Sequence, residues 1–301
     1  MPRPEISVII PHLNQPTALA ACLRALERQR SASVTFEVLV VDNGSRALPR
    51  AVCEAFDWVR LTRELTPGPG PARSLGAKLA TGDILAFIDA DCLAGPAWIS
   101  AISAFFSTNP GIDVLGGDVQ IARDGAMNQI AAYEAIYGYR MQLYVTRDHY
   151  TATCNMAVRR PVFAAVGDFA DISIAEDVDW GQRATALGYR IAYVPEVGIT
   201  TPARSNFAEL SRKWRRHIGH DYEGTIPLPL GRLRWTFRAL SLAASPLVEL
   251  PRLLRSPRIF GPRERFLALI CLIRIRIYRA WIMLGLLFHG DSKALSAGWR
   301  A

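Results

Sequence analysis

With 301 residues, half of them hydrophobic, the chain can bury one large core or two modest ones. Its five cysteines (Cys22, Cys53, Cys92, Cys154, Cys271) are scattered without a CxxC pair, which suits a reducing cytosol and excludes a thiolate zinc site. The net charge of +8 is unevenly spread: from Ala203 to Ala301 there are 18 Lys and Arg against 6 Asp and Glu, while the first 202 residues hold 17 against 21. The C-terminal third therefore suits an acidic partner surface, phospholipid or nucleic acid. The opening MPRPEISVIIP has no long apolar stretch before a cleavage site, so export is not expected.

ISVIIP is a β-branched run that reads as a strand. After it, Leu19, Cys22, Leu23 and Leu26 recur at i, i+3, i+4 and i+7 and predict a helix. FEVLVV reads as a buried strand closed by the turn signal DNGS, LPRAVCEAF as a second helix and WVRLTRE as a strand. TPGPGPARSLGAKLATG predicts a Gly/Pro-rich loop running into a helix, and DILAFI the next strand. Strands alternating with short helices argue for βαβ units and a mostly parallel sheet, covered on both faces. Further on, EDVDWGQRATALG reads as a helix closed by Gly188, followed by the strand YRIAYVP.

In open sheets of this kind, ligands bind outside the carboxyl ends of the strands. There PHLNQP, DNGS and DADC cluster the polar residues. Asp42 either closes its strand as an Asx turn or hydrogen-bonds a nucleotide base or ribose. Asp89 and Asp91, one residue apart, repel each other unless a cation is near, and Mg²⁺ or Mn²⁺ with oxygen ligands meets that need. GPGPARSLG has neither the GxGxxG spacing nor a P-loop lysine and is weak as a phosphate loop. Glu176, Asp177 and Asp179 crowd a helix start, where the macrodipole favours each by about 0.3–1 kcal/mol; a carboxylate at a site opening also serves as a general base.

Taken in order, SVIIPHLNQ, VLVVDNGS, GPARSLGAKLATGDILAFIDADC, GGDVQI, TCNMAVRR and AEDVDWGQRATALGYRIAYVPE resemble the family 2 glycosyltransferases over roughly residues 5–200. The resemblance implies a GT-A fold, an α/β Rossmann-like architecture with a mostly parallel central sheet flanked by helices. It also implies roles. Asp42 contacts the nucleotide base, with Pro11 and Asn14 lining the same pocket. Asp89 and Asp91 hold the ribose and a Mg²⁺ or Mn²⁺ ion on the donor diphosphate, with Asp91 as direct metal ligand. Asp177 is the catalytic base. Arg73 belongs to the donor site, and Asn155, Met156, Glu176 and Trp180 to the sugar pocket. The implied reaction is inverting transfer from a nucleotide-diphosphate sugar, UDP by family habit, to a lipid-linked or envelope glycan.

One departure stands out. Relatives often carry a histidine shortly after the YVP strand, and here Thr200 and Thr201 occupy that place, which leaves the third metal ligand open. His217 and His220 follow on a basic helix that can neutralise the diphosphate instead. Two alternatives stay open: an inactive membrane-bound scaffold, kept alive by the missing histidine, and a sugar nucleotidyltransferase, which would prefer a Gly/Lys-rich N-terminal loop.

The family motifs stop by residue 225, so the expected division is a catalytic domain over 1–225 and a basic, apolar helical region over 226–301. Two apolar helices are expected there, broken by Pro246, Pro251 and Pro257. The stretch 266–288 is long enough to span a bilayer but carries Arg274, Arg276 and Arg279. Those arginines cost roughly 8–10 kcal/mol on the insertion scale, against about 4–8 returned by its Leu, Ile and Phe. The expectation is a helix lying in the interface at the cytoplasmic side of the inner membrane, its arginines toward anionic headgroups. The apolar runs favour lipid over nucleic acid as the partner.

Overall fold

The computed structural model describes residues 3–30, 34–123, 125–171 and 174–289. In chain order the elements are β1 (Ile6–His12), α1 (Pro16–Glu27), β2 (Phe36–Asp42), α2 (Arg50–Glu54), β3 (Val59–Arg63), α3 (Pro69–Leu79), β4 (Ile84–Ile88) and β5 (Leu93–Ala94). There follow α4 (Trp98–Thr108), β6 (Val114–Ile121), α5 (Gln129–Tyr137), α6 (Met141–Thr146), β7 (Asn155–Arg159), α7 (Arg160–Val166), α8 (Glu176–Ala186) and β8 (Ile191–Thr201). Three helices end the described chain: α9 (Phe207–Thr225), α10 (Gly231–Arg255) and α11 (Gly261–His289).

The strands form an eight-stranded sheet in the order β3-β2-β1-β4-β7-β6-β8-β5. β1 pairs in parallel with β2 and β4, and β2 with β3; these strands are the continuous apolar runs expected of a sheet covered on both faces. β7 runs antiparallel to β4 and β6, and β5 antiparallel to β8. The sheet is therefore mixed rather than mostly parallel. Parallel neighbours need a crossover helix, and α1, α2 and α3 supply them as far as β4; beyond Ile88 that alternation stops and the strands turn back.

The chain divides into two compact units, one taking in residues up to 120 and from 140 to 202, the other 121–139 and from 203 onward. This division does not follow the one drawn at residue 225: α5 and α9 group with α10 and α11. In the first unit, Ile9, Leu39, Leu85, Phe87, Met156, Phe163, Phe169 and Trp180 share a core. Burying such side chains contributes about 1.5–3 kcal/mol each before entropy is subtracted. In the second, α5 and α11 bury Tyr133, Tyr137, Leu272 and Ile275 together, and Trp235 of α10 packs with Tyr222 and Met283. All five cysteines are free and buried.

The C-terminal helices differ from expectation in two ways. α10 runs unbroken through Pro246 and Pro251, and only Pro257 falls between helices. A mid-helix proline strands the carbonyl four residues earlier. Here the Ser245 hydroxyl donates to the Leu242 carbonyl at 2.7 Å, which replaces the bond Pro246 cannot give. Secondly, Arg276 and Arg279 turn inward rather than toward headgroups: Arg279 is 9% exposed and its guanidinium lies 3.6 Å from the Trp214 ring centroid. Arg274 is exposed, over the Phe207 ring. No helix among the described residues is long and apolar enough to cross a membrane.

Candidate active site at the strand ends

The carboxyl ends of β2, β1 and β4 lie side by side, and each delivers a polar residue. Asp42, the last residue of β2, is paired in register with His12, the last of β1, and both are buried. Asp42 accepts from the backbone N–H of Gly44 and Ser45 at 3.2 and 3.1 Å, an Asx turn made possible by the positive φ of Gly44. Its other oxygen lies 3.0 Å from His12 Nδ1. His12 Nε2 accepts from the Gln15 N–H at 3.2 Å, so the proton sits on Nδ1 and is donated to Asp42. Burial pushes the Asp42 pKa up, but the hydrogen bonds from Ser45 and His12 outweigh it and hold the carboxyl below its ordinary value.

Asn14, in the left-handed region, ties the two loops together: its N–H donates to Ser45 Oγ at 2.8 Å and its Oδ1 accepts from the Arg46 N–H at 2.9 Å. Pro11 is half-buried on β1 beside them. His12 was not anticipated, although a histidine ending the strand paired with Asp42 was visible in the sequence.

Past β4, Asp89 and Asp91 stand on the turn that leads into β5. α3 begins at Pro69 and brings Arg73 beneath them, 3% exposed. Its guanidinium joins two acids: Nη2 donates to Asp89 Oδ1 at 2.5 Å and Nη1 to Glu176 Oε1 at 2.9 Å. Gly70 lets the start of α3 pack against the backbone at Ala170, since a Cβ there would sit 2.1 Å from that carbonyl oxygen. Burial works against the Arg73 charge, yet the two carboxylates raise its pKa above the ordinary arginine value.

α8 carries the remaining acids in its first turn and is firmly docked. Trp180 Nε1 donates to the Gly167 carbonyl at 2.9 Å, Arg183 reaches the Val166 and Asp168 carbonyls, and Gly188 closes the helix with φ +89° and the bond Tyr189 N–H to Ala184 carbonyl. Asp177 stands beside the Arg73-held Glu176. Burial, and then the Glu176 charge, push its pKa up to about 6. The stacked pair Tyr144 and Tyr150, ring centroids 5.0 Å apart, lies close enough for Asp177 to raise both phenols further after burial. Nothing in the sequence marked that pair.

Three residues assigned to the sugar pocket are buried. Asn155 is 1% exposed and fully engaged: its Oδ1 accepts from Trp98 Nε1 at 2.9 Å and its Nδ2 donates to the Asp118 and Val197 carbonyls at 2.8 Å. Met156 and Trp180, each 1% exposed, belong to the core.

Thr200 is paired in register with Leu93, two residues beyond Asp91, so the end of β8 lies alongside the strand that follows the aspartate turn. Asp89 and Asp91 supply hard oxygen donors of the kind Mg²⁺ and Mn²⁺ prefer. Among the described residues no group of three or more His, Cys, Asp or Glu gathers. The pair fits an ion that completes its shell with water and substrate, as Mg²⁺ ordinarily does. His217 stands on α9, and the side chain of His220 lies outside the described residues.

Comparison with known proteins identifies the class. The family Glycosyl transferase family 2 matches residues 7–167. The glycosyltransferase AglE of Haloferax volcanii is 33% identical over 217 residues, 70% of each chain. A validoxylamine A glucosyltransferase of Streptomyces hygroscopicus is 37% identical over 119 residues, 38% of this chain and 26% of that one. Among solved structures, a mannosyltransferase from Pyrobaculum calidifontis in complex with GDP-Man and Mn²⁺ superposes with TM-score 0.59 at 17% identity, covering 97% of this chain and 78% of that one. Glucosyl-3-phosphoglycerate synthase from Mycobacterium tuberculosis, with Mn²⁺ and UDP-glucose, gives 0.51 at 20% identity over 72% and 77%. The chain belongs to glycosyl transferase family 2 and is a glycosyltransferase with a GT-A-like fold.

Proposed function

We propose that the enzyme moves a sugar from a nucleotide-diphosphate donor, a UDP-sugar in the first instance, to a hydroxyl of a lipid-linked or envelope glycan, inverting the anomeric centre. The observation that carries this reading is the bridge Asp89–Arg73–Glu176, which ties the acid at the end of β4 and the first turn of α8 to one cation. The donor nucleotide lies over the loops of Pro11, Asn14 and Asp42; the closed turn at Asp42 shapes that floor through its buried carboxylate. Asp91, with Asp89, would hold Mg²⁺ or Mn²⁺, which when bound supplies positive charge to the donor diphosphate. Asp177, with a pKa near 6, is deprotonated at neutral pH and still basic enough to take the proton from an acceptor hydroxyl. That oxygen attacks the anomeric carbon from the face opposite the leaving diphosphate, so a single displacement inverts the configuration. The rings of Tyr144 and Tyr150 offer the acceptor a stacking surface beside the base.

We further infer a catalytic region ending near residue 225 and, beyond it, a membrane-associating region that is peripheral on the cytoplasmic face. Leu233, Phe237, Leu240, Leu247 and Val248 of α10 are 58–81% exposed. At 100° per residue they fall within an arc of about 100°. Phe266, Ile273, Ile277, Trp281 and Phe288 of α11 are 39–83% exposed. They share an arc of about 80°. Exposed apolar stripes of this length beside Arg232, Arg234 and Arg255 suit an anionic membrane surface.

The test is a donor panel. Binding and hydrolysis are measured with UDP-, GDP- and other nucleotide sugars, with and without Mn²⁺ or Mg²⁺, and the product anomer is read by NMR. Failure of every nucleotide sugar to bind, or retention of configuration, would sink the reading.

A further inference from the structure

The second compact unit contains buried polar groups that glycosyl transfer leaves unexplained. Tyr137 Oη, Trp214 Nε1, Arg276 Nε and Arg279 Nε are all buried with no hydrogen-bond partner among the described residues. The four belong to one neighbourhood. Tyr133 and Tyr137 stack on α5 with centroids 5.1 Å apart, and Arg276 and Arg279 are one turn apart on α11. The Arg279 guanidinium covers the Trp214 ring of α9. Burial raises the Tyr133 phenol to about 12 although Arg276 and Arg279 both pull it down, so both cations are close to it.

Arginine Nε and indole Nε1 donate and never accept, while the phenol can do either. Three obligate donors without acceptors cannot satisfy one another, and a single water accepts from only two. The acids nearby are already claimed. Glu249 is held by Arg252 at 2.7 Å and lies 3.9 Å from Arg276; Asp221 is held by Arg238 at 2.6 Å. Among the described residues no carboxylate forms an ion pair with Arg279. Loss of hydration, with the neighbouring Arg276 and Arg238 charges, outweighs the pull of Tyr133 and Asp221 and lowers its pKa to about 10.

We propose that Arg276, Arg279, Trp214 and Tyr137 form a binding site for a phosphate-class oxyanion within the helical unit, separate from the donor site at the strand ends. A phosphate offers several acceptor oxygens and a charge near −2, which matches two guanidiniums and two neutral donors. The Arg276 side chain is 14% exposed, which leaves the cluster reachable from solvent. Free phosphate and the monophosphate of a lipid head share this chemistry.

The test compares melting of the full chain in sodium phosphate and in sodium chloride at matched ionic strength. Phosphate should raise the wild-type melting temperature by a few degrees, in a saturable way. Arg279→Met should melt higher than wild type in chloride, because an unpaired buried charge is gone, and should lose the phosphate response. Trp214→Phe keeps a ring under Arg279 and removes one donor, so its response should fall at least threefold. Flotation with phosphatidic acid vesicles against phosphatidylglycerol vesicles separates the sources. If Trp214→Phe weakens phosphatidic acid binding selectively, the ligand is a lipid phosphate; if flotation is unchanged while the melting response falls, it is a soluble one. Coincident wild-type melting curves in phosphate and chloride, with Arg279→Met melting lower, would overturn the site and leave Arg279 as a structural partner of Trp214.

Discussion

Glu176 and Arg73 meet at 2.9 Å, and through that contact the start of α8 is tied to the end of β4, because the same guanidinium holds Asp89 at 2.5 Å. Arg73 is 4% exposed in its side chain, whereas Asp89 and Glu176 are 32% and 17% exposed and can partly rehydrate. Arg73→Met should therefore cost about 1–3 kcal/mol, less than breaking a fully buried pair. Donor binding and transfer should fall together, since one cation orders both sides of the site. Urea melts and donor titration check this, and unchanged donor affinity would contradict the bridge.

The raised pKa of Asp177 sets a pH profile. As the base it must be deprotonated, so kcat/KM should rise with pH through an inflection near 6. Glu176→Gln removes the neighbouring charge that raises it, so the inflection should move to lower pH. Stability runs the other way. The folded state holds this proton more tightly than the unfolded chain does, so the group favours folding below about pH 4 and that contribution is lost as pH rises through 6. Asp177→Asn should flatten that part of the stability curve.

The parts of this site visible in the sequence are those written by local rules. The β-branched runs closing in Asp42 and Asp89, and the acids opening α8, follow from period and capping alone. Burial is a tertiary property that local pattern does not encode. The motif TCNMA gives no sign that the Trp98 indole occupies the Asn155 carbonyl, or that Met156 faces the core. A helical wheel groups Arg276 with Arg279 but does not say which face meets protein. Pro246 reads as a break unless the serine before it is credited with capping Leu242. Nor does local pattern reveal that α5, between two parts of the first unit in sequence, folds with the C-terminal helices.

Asp91→Asn should abolish divalent-metal dependence of donor binding while the fold survives. Asp91 is half-buried on a turn outside the sheet, so its melting temperature should move by no more than a couple of degrees. Calorimetry of nucleotide-sugar binding with and without Mn²⁺ is the measurement. Undiminished metal-dependent binding in the variant would remove Asp91 as a ligand.

Membrane association is best tested by substitution. Truncation after residue 225 would uncover Ile218 and Tyr222, which are buried in the helical core, and so confound unfolding with loss of anchoring. Phe237 and Trp281 are 72% and 67% exposed, so Phe237→Ser with Trp281→Ser should leave melting nearly unchanged. Flotation with anionic vesicles should drop several-fold, wild-type binding should weaken with salt, and alkaline carbonate should release the protein. Retention in the carbonate-washed pellet would argue for integral insertion.

Asp177 separates a catalyst from a scaffold. Its two acidic neighbours cannot easily replace it: Glu176 is engaged by Arg73, and Asp179 accepts from Arg183 at 2.9 Å. Loss of a general base typically costs about 10²–10⁴-fold in rate. Asp177→Asn should therefore bind donor and metal as wild type does, yet transfer sugar at least about a hundredfold more slowly. Glu176→Gln keeps an acceptor for Arg73 and should be milder. Single-turnover transfer alongside equilibrium donor binding distinguishes the cases. Full transfer by Asp177→Asn would dismiss it as the base, and loss of donor binding would make it a structural residue of the α8 terminus.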